Sequence, residues 1–475
     1  MPRFQLPVND PLLVNDLHSA LNPTRVACVL APRGTAEISA AVHAAIAAGA
    51  QLAVSGGRHA MGGQQFGTGT WLLDLRGHSS IRQFDARRGL VTVDAGIEWP
   101  ALIAGCAALQ SPDAATTWGI RQKQTGADRL TLGGALAANI HGRGLRLPPI
   151  VGDVEAFTLI GPDGLARPCS RDENADLFRL AIGGYGLFGV IAEVTLRLMP
   201  RVPVQRSVEI LTLDELVRVP AERDTTDWLF GDFQYSIDEK SPDFLQRGVF
   251  SAYRRCDEPP AELAAPRQLR ESDWEELLWL AHTDRAKVWE VYSGFYRATH
   301  GQRYWSDTHQ LSVYPDHYHT ALDRRLGSPC PCSEMISELY VPRGLLREFM
   351  GRAGDLLRSG ETPVIYGTIR LIERDTETLL AWAREPWACI IFNLHCEHTP
   401  AGLARAAAAF RALIDLALAL GGSYYLTYHR WANRTQVEAA HPRFREFLAE
   451  KKARDPGEIF SSDWYRHHRD LFAAS

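Results

Sequence analysis

No stretch of the 475-residue chain is both long enough and apolar enough to cross a bilayer. The nearest, Ala401 to Leu420, carries Arg405, Arg411 and Asp415 at spacings that leave a polar stripe, and it reads as an amphipathic helix packed on a core. An excess of basic charge is missing too: 51 Lys and Arg stand against 56 Asp and Glu. With a net charge of -5 and no basic block able to track a phosphate backbone, no nucleic-acid partner is expected. The eight cysteines are scattered. Their closest pair, Cys330 and Cys332, has one intervening residue where a zinc hook has two, so neither a disulfide framework nor a metal knuckle is expected. The opening MPRFQLPVNDPLLVNDLHSA lacks a basic start followed by an unbroken apolar run. No secretory signal or lipid anchor is legible there, and a cytoplasmic location is expected.

What is present is ordinary globular composition, at a length that implies two or three domains. From Arg25 to Pro200, short β-branched runs alternate with Ala-rich helical stretches, and glycine clusters mark nearly every junction. The helix TAEISAAVHAAIAAGA is expected to open at Thr35 with a capping residue and to stop at Gly49, with strands at Gln51–Val54, Trp71–Leu75 and Val91–Gly96 following. Residues 201 to 330 are rich in Trp, Tyr and charge and poor in glycine turns. Beyond them SEMISELYVP, PVIYGTIRLI and ACIIFNLHC read as strands separated by helices at Arg343–Ser359 and Ala401–Leu420. The fold class expected is α+β, in three segments: residues 1–200, a second domain of sheet flanked by helices over 201–420, and a C-terminal piece over 421–475 with a helix between Pro442 and Arg454.

Gly184, Gly186 and Gly189 satisfy the spacing of a dinucleotide fingerprint, but here a helix precedes the glycines and a strand follows. The fingerprint needs the reverse order, so a Rossmann site is rejected. Three glycine-rich segments remain, SGGRHAMGGQ, TLGGALAANIHGRG and GGYGLFG. Any one of them could be only a tight turn; three together suit backbone amides closing on one extended ligand with a pyrophosphate.

The order and wording of these loops, with APRGTAEISAAV, DAGIEWPAL and GGYGLFGVIAEVTL, resemble the FAD-binding domain of the vanillyl-alcohol oxidase family, also called the p-cresol methylhydroxylase type. NIHGRG and FSSD are most similar to decaprenylphosphoryl-ribose oxidases and to sugar or alditol oxidases. The segment HPRFREFLAEKKARDPGEIFSSDW looks like the family's C-terminal return to the FAD domain. The resemblance implies a two-domain FAD-binding fold with a separate substrate domain. Ser55, Gly56, Gly57, Arg58 and His59 would cradle the pyrophosphate, with Gln64 closing that loop. Thr131, Gly133, Gly134, Asn139, His141 and Gly142 would line the flavin, and Gly184, Gly186, Gly189, Val190 and Ile191 would touch the adenosine half. In many members the histidine matching His59 is bonded to the flavin, and a neutral imidazole is a competent nucleophile for that bond. RQKQTGADR has no cysteine for the second bond of some relatives.

Oxidising an alcohol also requires a proton acceptor and a pocket. The strand period of two places Tyr366, Thr368 and Arg370 on one face, and Asn393 and His395 on another strand's face. In YYLTYHRWA, Tyr428 stands where the ribose oxidases offer a lysine, and His429 follows. A phenol of depressed pKa or the imidazole would take the proton. Ile140 stands where, in sugar-lactone relatives, a glycine goes with oxygen access, and its bulk implies a poor oxidase. His309, His317 and His319 invite a metal reading, but no nearby carboxylate or thiolate completes it, and no metal is expected. The function expected is FAD-dependent oxidation of a CH–OH group of a sugar, polyol or related alcohol. Its partners are a small-molecule substrate and oxygen or another electron acceptor. The alternative on the same scaffold is oxidative cyclisation or desaturation of the berberine-bridge type.

Overall fold

Gly34, in extended conformation, releases the chain into α1 (Thr35–Ala48), and Gly49 ends that helix in the left-handed region at φ 62°. Thr35 is therefore not the cap: it is the first helical residue, and its hydroxyl donates to Glu193 at 3.0 Å. The computed structural model describes residues 10–111, 114–260, 267–312 and 315–473, so the first nine residues of the opening stretch read above lie outside it. The helix joins β1 (Cys28–Leu30) to β2 (Leu52–Ser55), and β3 (Trp71–Asp74) lies between these two as the centre of a three-stranded parallel sheet.

A five-stranded antiparallel sheet follows, built from β4 (Ile81–Asp85), β5 (Leu90–Asp94), β6 (Val154–Ile160), β7 (Ala166–Ser170) and β8 (Val190–Arg197) in the order β7-β6-β8-β5-β4. Ile38, Val42 and Ala45, one stripe of α1, share a buried cluster with Leu52 and Leu73 of the parallel sheet and Ile160, Val190 and Ala192 of the antiparallel one. That wedge fixes the two sheets against each other. Helices α2 (Trp99–Ala108), α3 (Leu132–Ala138) and α4 (Ala175–Ala181) complete this part.

Residues 203–424 form an eight-stranded antiparallel sheet of β9 (Pro203–Thr212), β10 (Trp228–Tyr235), β11 (Arg247–Arg255), β12 (Arg303–Trp305), β13 (Cys332–Pro342), β14 (Val364–Ile372), β15 (Trp387–Glu397) and β16 (Ser423–Tyr424). Its order is β12-β9-β11-β10-β14-β15-β13-β16. Its helices are α5 (Leu213–Glu222), α6 (Glu271–Thr283), α7 (Arg285–Arg297), α8 (His319–Leu326), α9 (Leu346–Ser359) and α10 (Pro400–Ala419). The last begins where Thr399 accepts from the Gly402 N–H and Pro400 fills the first helical position. Among the described residues no helix is long and apolar enough to cross a membrane.

The chain then returns through α11 (Arg434–Ala440), α12 (Phe444–Arg454) and α13 (Asp463–Ala473). Asp455 accepts from the fully buried Lys451 ammonium and from the Ile459 and Phe460 amides, both at 2.9 Å. This turn lays residues 459–461 along β2: Leu52 donates to the Ile459 carbonyl at 2.6 Å and Ser461 to the Leu52 carbonyl at 2.8 Å. It also sinks Phe460 into the α1 cluster, a burial that stabilises by about 1.5–3 kcal/mol. The large sheet meets the first part through Tyr425, whose hydroxyl donates to the Ala138 carbonyl at 2.6 Å, and Trp382, whose indole donates to the Asn139 carbonyl at 2.9 Å.

Candidate active site

A cavity of about 310 Å³ lies between the glycine loops of the first part and one face of the large sheet. On the loop side, glycine is required by close approach. A Cβ on Gly56 would fall 1.9 Å from Thr131 Oγ1, and one on Gly57 would fall 2.4 Å from the Arg129 carbonyl. The 55–59 loop is thereby pressed against residues 129–131, and Arg58 adopts φ 61° while its guanidinium is held 3.0 Å from Asp74. Lys123 fixes the adjoining loop: its ammonium, fully buried, donates to the Gln124 and Ala127 carbonyls at 2.8 and 3.2 Å and pairs with Asp128 at 2.8 Å. Burial pulls its pKa down to about 8, against the pull of Asp128. Ser55 Oγ, Gln64 Oε1, Thr125 Oγ1 and Arg370 Nε belong to cavity-lining residues and are buried without a protein partner. Loops seated this closely, beside orphaned donors and acceptors around one cavity, fit a polar ligand carrying a pyrophosphate, as FAD does.

His59 is buried with both ring nitrogens engaged. Nε2 lies 3.1 Å from the Arg129 carbonyl and Nδ1 2.9 Å from His18 Nε2. Because a carbonyl only accepts, the proton of the neutral ring sits on Nε2, and Nδ1 accepts from His18. Burial first, and His18 second, depress the His59 pKa to about 4, so the ring is neutral at physiological pH.

The sheet side is an alternating polar face. Register sets Tyr366 opposite Asn393 and Thr368 opposite Ile391, and across the next pair sets Asn393 opposite Ile336 and Ile391 opposite Glu338. At its centre is Glu338, which is 2% exposed. It accepts from His141 Nε2 at 2.8 Å and from the Tyr340 hydroxyl, and the Tyr428 phenol lies close enough to feel its charge. Burial opposes its ionisation, yet His141 and the Tyr340 hydroxyl hold the carboxyl below its usual range. His141 meets a second acceptor, the Gly142 carbonyl, at 3.0 Å.

Of the residues singled out from sequence, Ser55, Gly56, Gly57, Arg58, His59, Gln64, Thr131, Gly133, Gly134, His141, Gly186, Gly189 and Ile191 line the cavity, as do Arg370, Asn393 and Tyr428. Six are placed elsewhere. Asn139 ends α3 in the left-handed region, donates to Asp375 at 2.9 Å and accepts from the Val151 amide. Gly142 donates to Gln122, Gly184 is held in a tight turn against the Leu180 carbonyl, and Val190 is core. His429 stacks on Trp431 with ring centroids 4.0 Å apart, and burial pulls its pKa down to about 3. His395 faces Glu334. A second correction concerns Tyr428: burial and Glu338 raise its phenol well above the ordinary value, opposite to the depression a free phenolate base requires. The three histidines near residue 310 separate as well. His309 is buried between Phe230 and Tyr253, His317 is exposed, and His319 meets a carboxylate, Glu334, that no neighbouring sequence position supplied.

Residues 26–170 match the family model described as an FAD binding domain. Over that stretch, under a third of its length, the chain is similar to FAD binding domains. An uncharacterized oxidoreductase of Rhodococcoides fascians, ORF5 in the fasciation locus, is 32% identical over 171 residues, 36% of this chain and 37% of that protein. The mitochondrial L-galactono-1,4-lactone dehydrogenase of Brassica oleracea is 30% identical over 146 residues, 30% of this chain and 23% of that protein. The chain thus spans well under half the length of these two relatives. The decaprenylphosphoryl-beta-D-ribose oxidase of Mycolicibacterium smegmatis is 23% identical over 420 residues, 84% of this chain and 85% of that protein.

Proposed function

We propose that the protein is an FAD-dependent dehydrogenase or oxidase that oxidises a CH–OH group of a sugar, polyol or related small alcohol. One observation carries the reading: a buried carboxylate, Glu338, held in its ionised form, stands close enough to a phenol, Tyr428, to raise its pKa, at the wall of the cavity that the FAD-domain loops enclose. FAD, when bound, supplies the acceptor for the hydride leaving the substrate carbon. Tyr428 accepts the hydroxyl proton of the substrate as its own proton passes to Glu338, so no phenolate need exist at rest. Asn393 and Arg370 offer donors to neighbouring substrate oxygens. The ribose oxidase and lactone dehydrogenase among the relatives, both named for sugar-derived compounds, support this substrate class.

The test is anaerobic mixing of the FAD-loaded protein with a panel of aldoses, alditols, sugar lactones and aromatic alcohols. Bleaching of the flavin absorbance by a member of the panel is expected, and silence across it overturns the reading. The same experiment, followed by admission of oxygen or a quinone, tests the electron acceptor. Ile140 fills the cavity wall beside the flavin-lining loop, and the quinone is expected to reoxidise the reduced flavin faster than oxygen does.

We further propose that His59 bonds to FAD. Its ring is neutral, and the Nδ1 lone pair becomes the nucleophile once the hydrogen bond from His18 gives way to the flavin. Acid precipitation of the wild-type protein is expected to leave the yellow colour in the pellet, and that of His59→Ala to release it; release from the wild type would refute the bond. A second reading, oxidative cyclisation or desaturation of a flat molecule, draws on the Trp274, Tyr296, Tyr318 and Tyr366 rings that also line the cavity.

A further inference from the structure

Side chains from separate elements converge on one carboxylate at the cavity edge. Glu334 of β13 is 4% exposed. Its Oε1 lies 3.0 Å from His282 Nε2, in the last turn of α6, and 3.6 Å from His395 Nδ1, directly opposite it on β15. Its Oε2 lies 3.2 Å from His319 Nδ1, at the start of α8, and accepts from the Tyr318 hydroxyl. The ligand atoms of His282, Glu334 and His395 all fall within 4.8 Å of one another. The His282 and His395 rings meet edge to face at 80°, and His395 Nδ1 is buried without a hydrogen-bond partner. Among the described residues every ion pair of Glu334 is with a histidine.

We infer that His282, Glu334 and His395, with His319 as a fourth ligand, form a binding site for a divalent transition-metal ion of the zinc class. Imidazole nitrogens with a single carboxylate suit such ions, whereas magnesium and calcium call for oxygen alone. A tetrahedral ion with bonds of about 2.0–2.1 Å spaces its ligand atoms roughly 3.3 Å apart. The three histidine nitrogens already stand at about that distance from a Glu334 oxygen, His282 and His395 from Oε1 and His319 from Oε2, so to complete the set the first two must close on each other and His319 must swing toward them. An ion there also balances a buried negative charge that has no ammonium or guanidinium partner. Hydrogen bonds alone would leave His395 Nδ1 unused.

The site opens inward, because Glu334, His319 and Tyr318 all line the cavity. Glu338 lies four residues along the same strand, about 13 Å away. The ion therefore takes an oxygen at the far end of the substrate and positions it without touching the reacting carbon. This last role rests on the cavity being a substrate pocket; the ion site itself does not.

The test uses the full chain with its FAD, stripped by a chelator and titrated with zinc chloride and, separately, cobalt chloride. One zinc per chain is expected, together with cobalt ligand-field bands of the strength given by four or five ligands. Glu334→Gln and His395→Asn are each expected to weaken binding at least about tenfold, the least that even a partner of a ligand is worth. His43→Asn, exposed on α1, is expected to change nothing. If Glu334→Gln fails to fold, His282→Gln at the half-buried helix end gives the same reading. Absence of uptake by the wild type, or uptake that Glu334→Gln leaves as tight, overturns the site. A protein that binds zinc but is reduced by no substrate would overturn the catalytic reading and spare this one.

Discussion

Glu338→Gln is expected to slow reduction of the flavin by substrate about 10²- to 10⁴-fold, the usual worth of a positioned proton acceptor, with no loss of bound FAD. The substitution preserves volume and one acceptor oxygen. It removes the charge and turns an amide N–H₂ toward donors, the His141 ring and the Tyr340 hydroxyl, and removes the carboxylate beside Tyr428. Tyr428→Phe removes the other half of the relay and is expected to cost a similar factor. The double variant is expected to be little worse than either single one, because the two groups act as a unit. The pH profile carries a sign. Since the Glu338 carboxyl is held below its ordinary range, the reduction rate should stay level as pH falls through the usual glutamate pKa and drop only beyond it. Stopped-flow reduction of the three variants across pH decides this. An unchanged rate in Tyr428→Phe would show that no hydroxyl proton leaves through it and would favour the cyclisation or desaturation reading.

The parts of this site that were legible in the sequence are those whose chemistry is local. Glycines at 56 and 57 announce themselves by residue type within a glycine-rich turn, although the residues that demand them, Thr131 and Arg129, are distant in sequence. Period-two reasoning placed Arg370 and Asn393 on the faces where they lie. The same rule was available for SEMISELYVP, where Glu334, Ile336, Glu338 and Tyr340 alternate onto one face, yet that stretch reads first as a strand, and its two carboxylates pass unnoticed. His18 and Lys123 carry no local signal at all: the partner of His59 is 41 residues away, and the lysine is known as buried only once the loop folds over it. Burial also reversed the expectation for Tyr428. The resemblance of YYLTYHRWA to the ribose oxidases implies a phenol near a flavin, but whether the pocket lowers or raises that phenol's pKa depends on desolvation and on Glu338, which come from the fold. His429 fails for the same reason, since one residue along an irregular segment turned it onto Trp431.

Acid is expected to unfold the protein well before its carboxylates protonate. His59, His429, His441 and His468 are all buried, and burial is the leading cause that sets their pKa values at about 4, 3, 3 and 3, below the ordinary 6.5. A histidine depressed in the folded state stays neutral there while the unfolded chain takes up a proton. Stability is therefore complete above pH 6.5 and falls as pH drops from there toward the folded values, by up to about 1.4 kcal/mol per pH unit for each group. Even two of the four acting together remove about 4 kcal/mol by pH 5, a large part of the roughly 5–15 kcal/mol that holds a domain. Three of them lie between residues 429 and 468, in the C-terminal segment that packs on the FAD-binding part. His441 abuts Tyr424 with both ring nitrogens unpartnered, and His468 lies against Trp464 with its Nδ1 2.9 Å from the Trp464 carbonyl. Loss of the segment should thus accompany loss of bound flavin, unless the flavin is covalently held. Thermal denaturation between pH 7.5 and about 5 is expected to show a steep fall in Tm below pH 6.5, shallower in His441→Phe, which removes one titrating ring while keeping the edge contact. A Tm level across that range would mean that these rings take up protons in place, and the burial argument would fail with it.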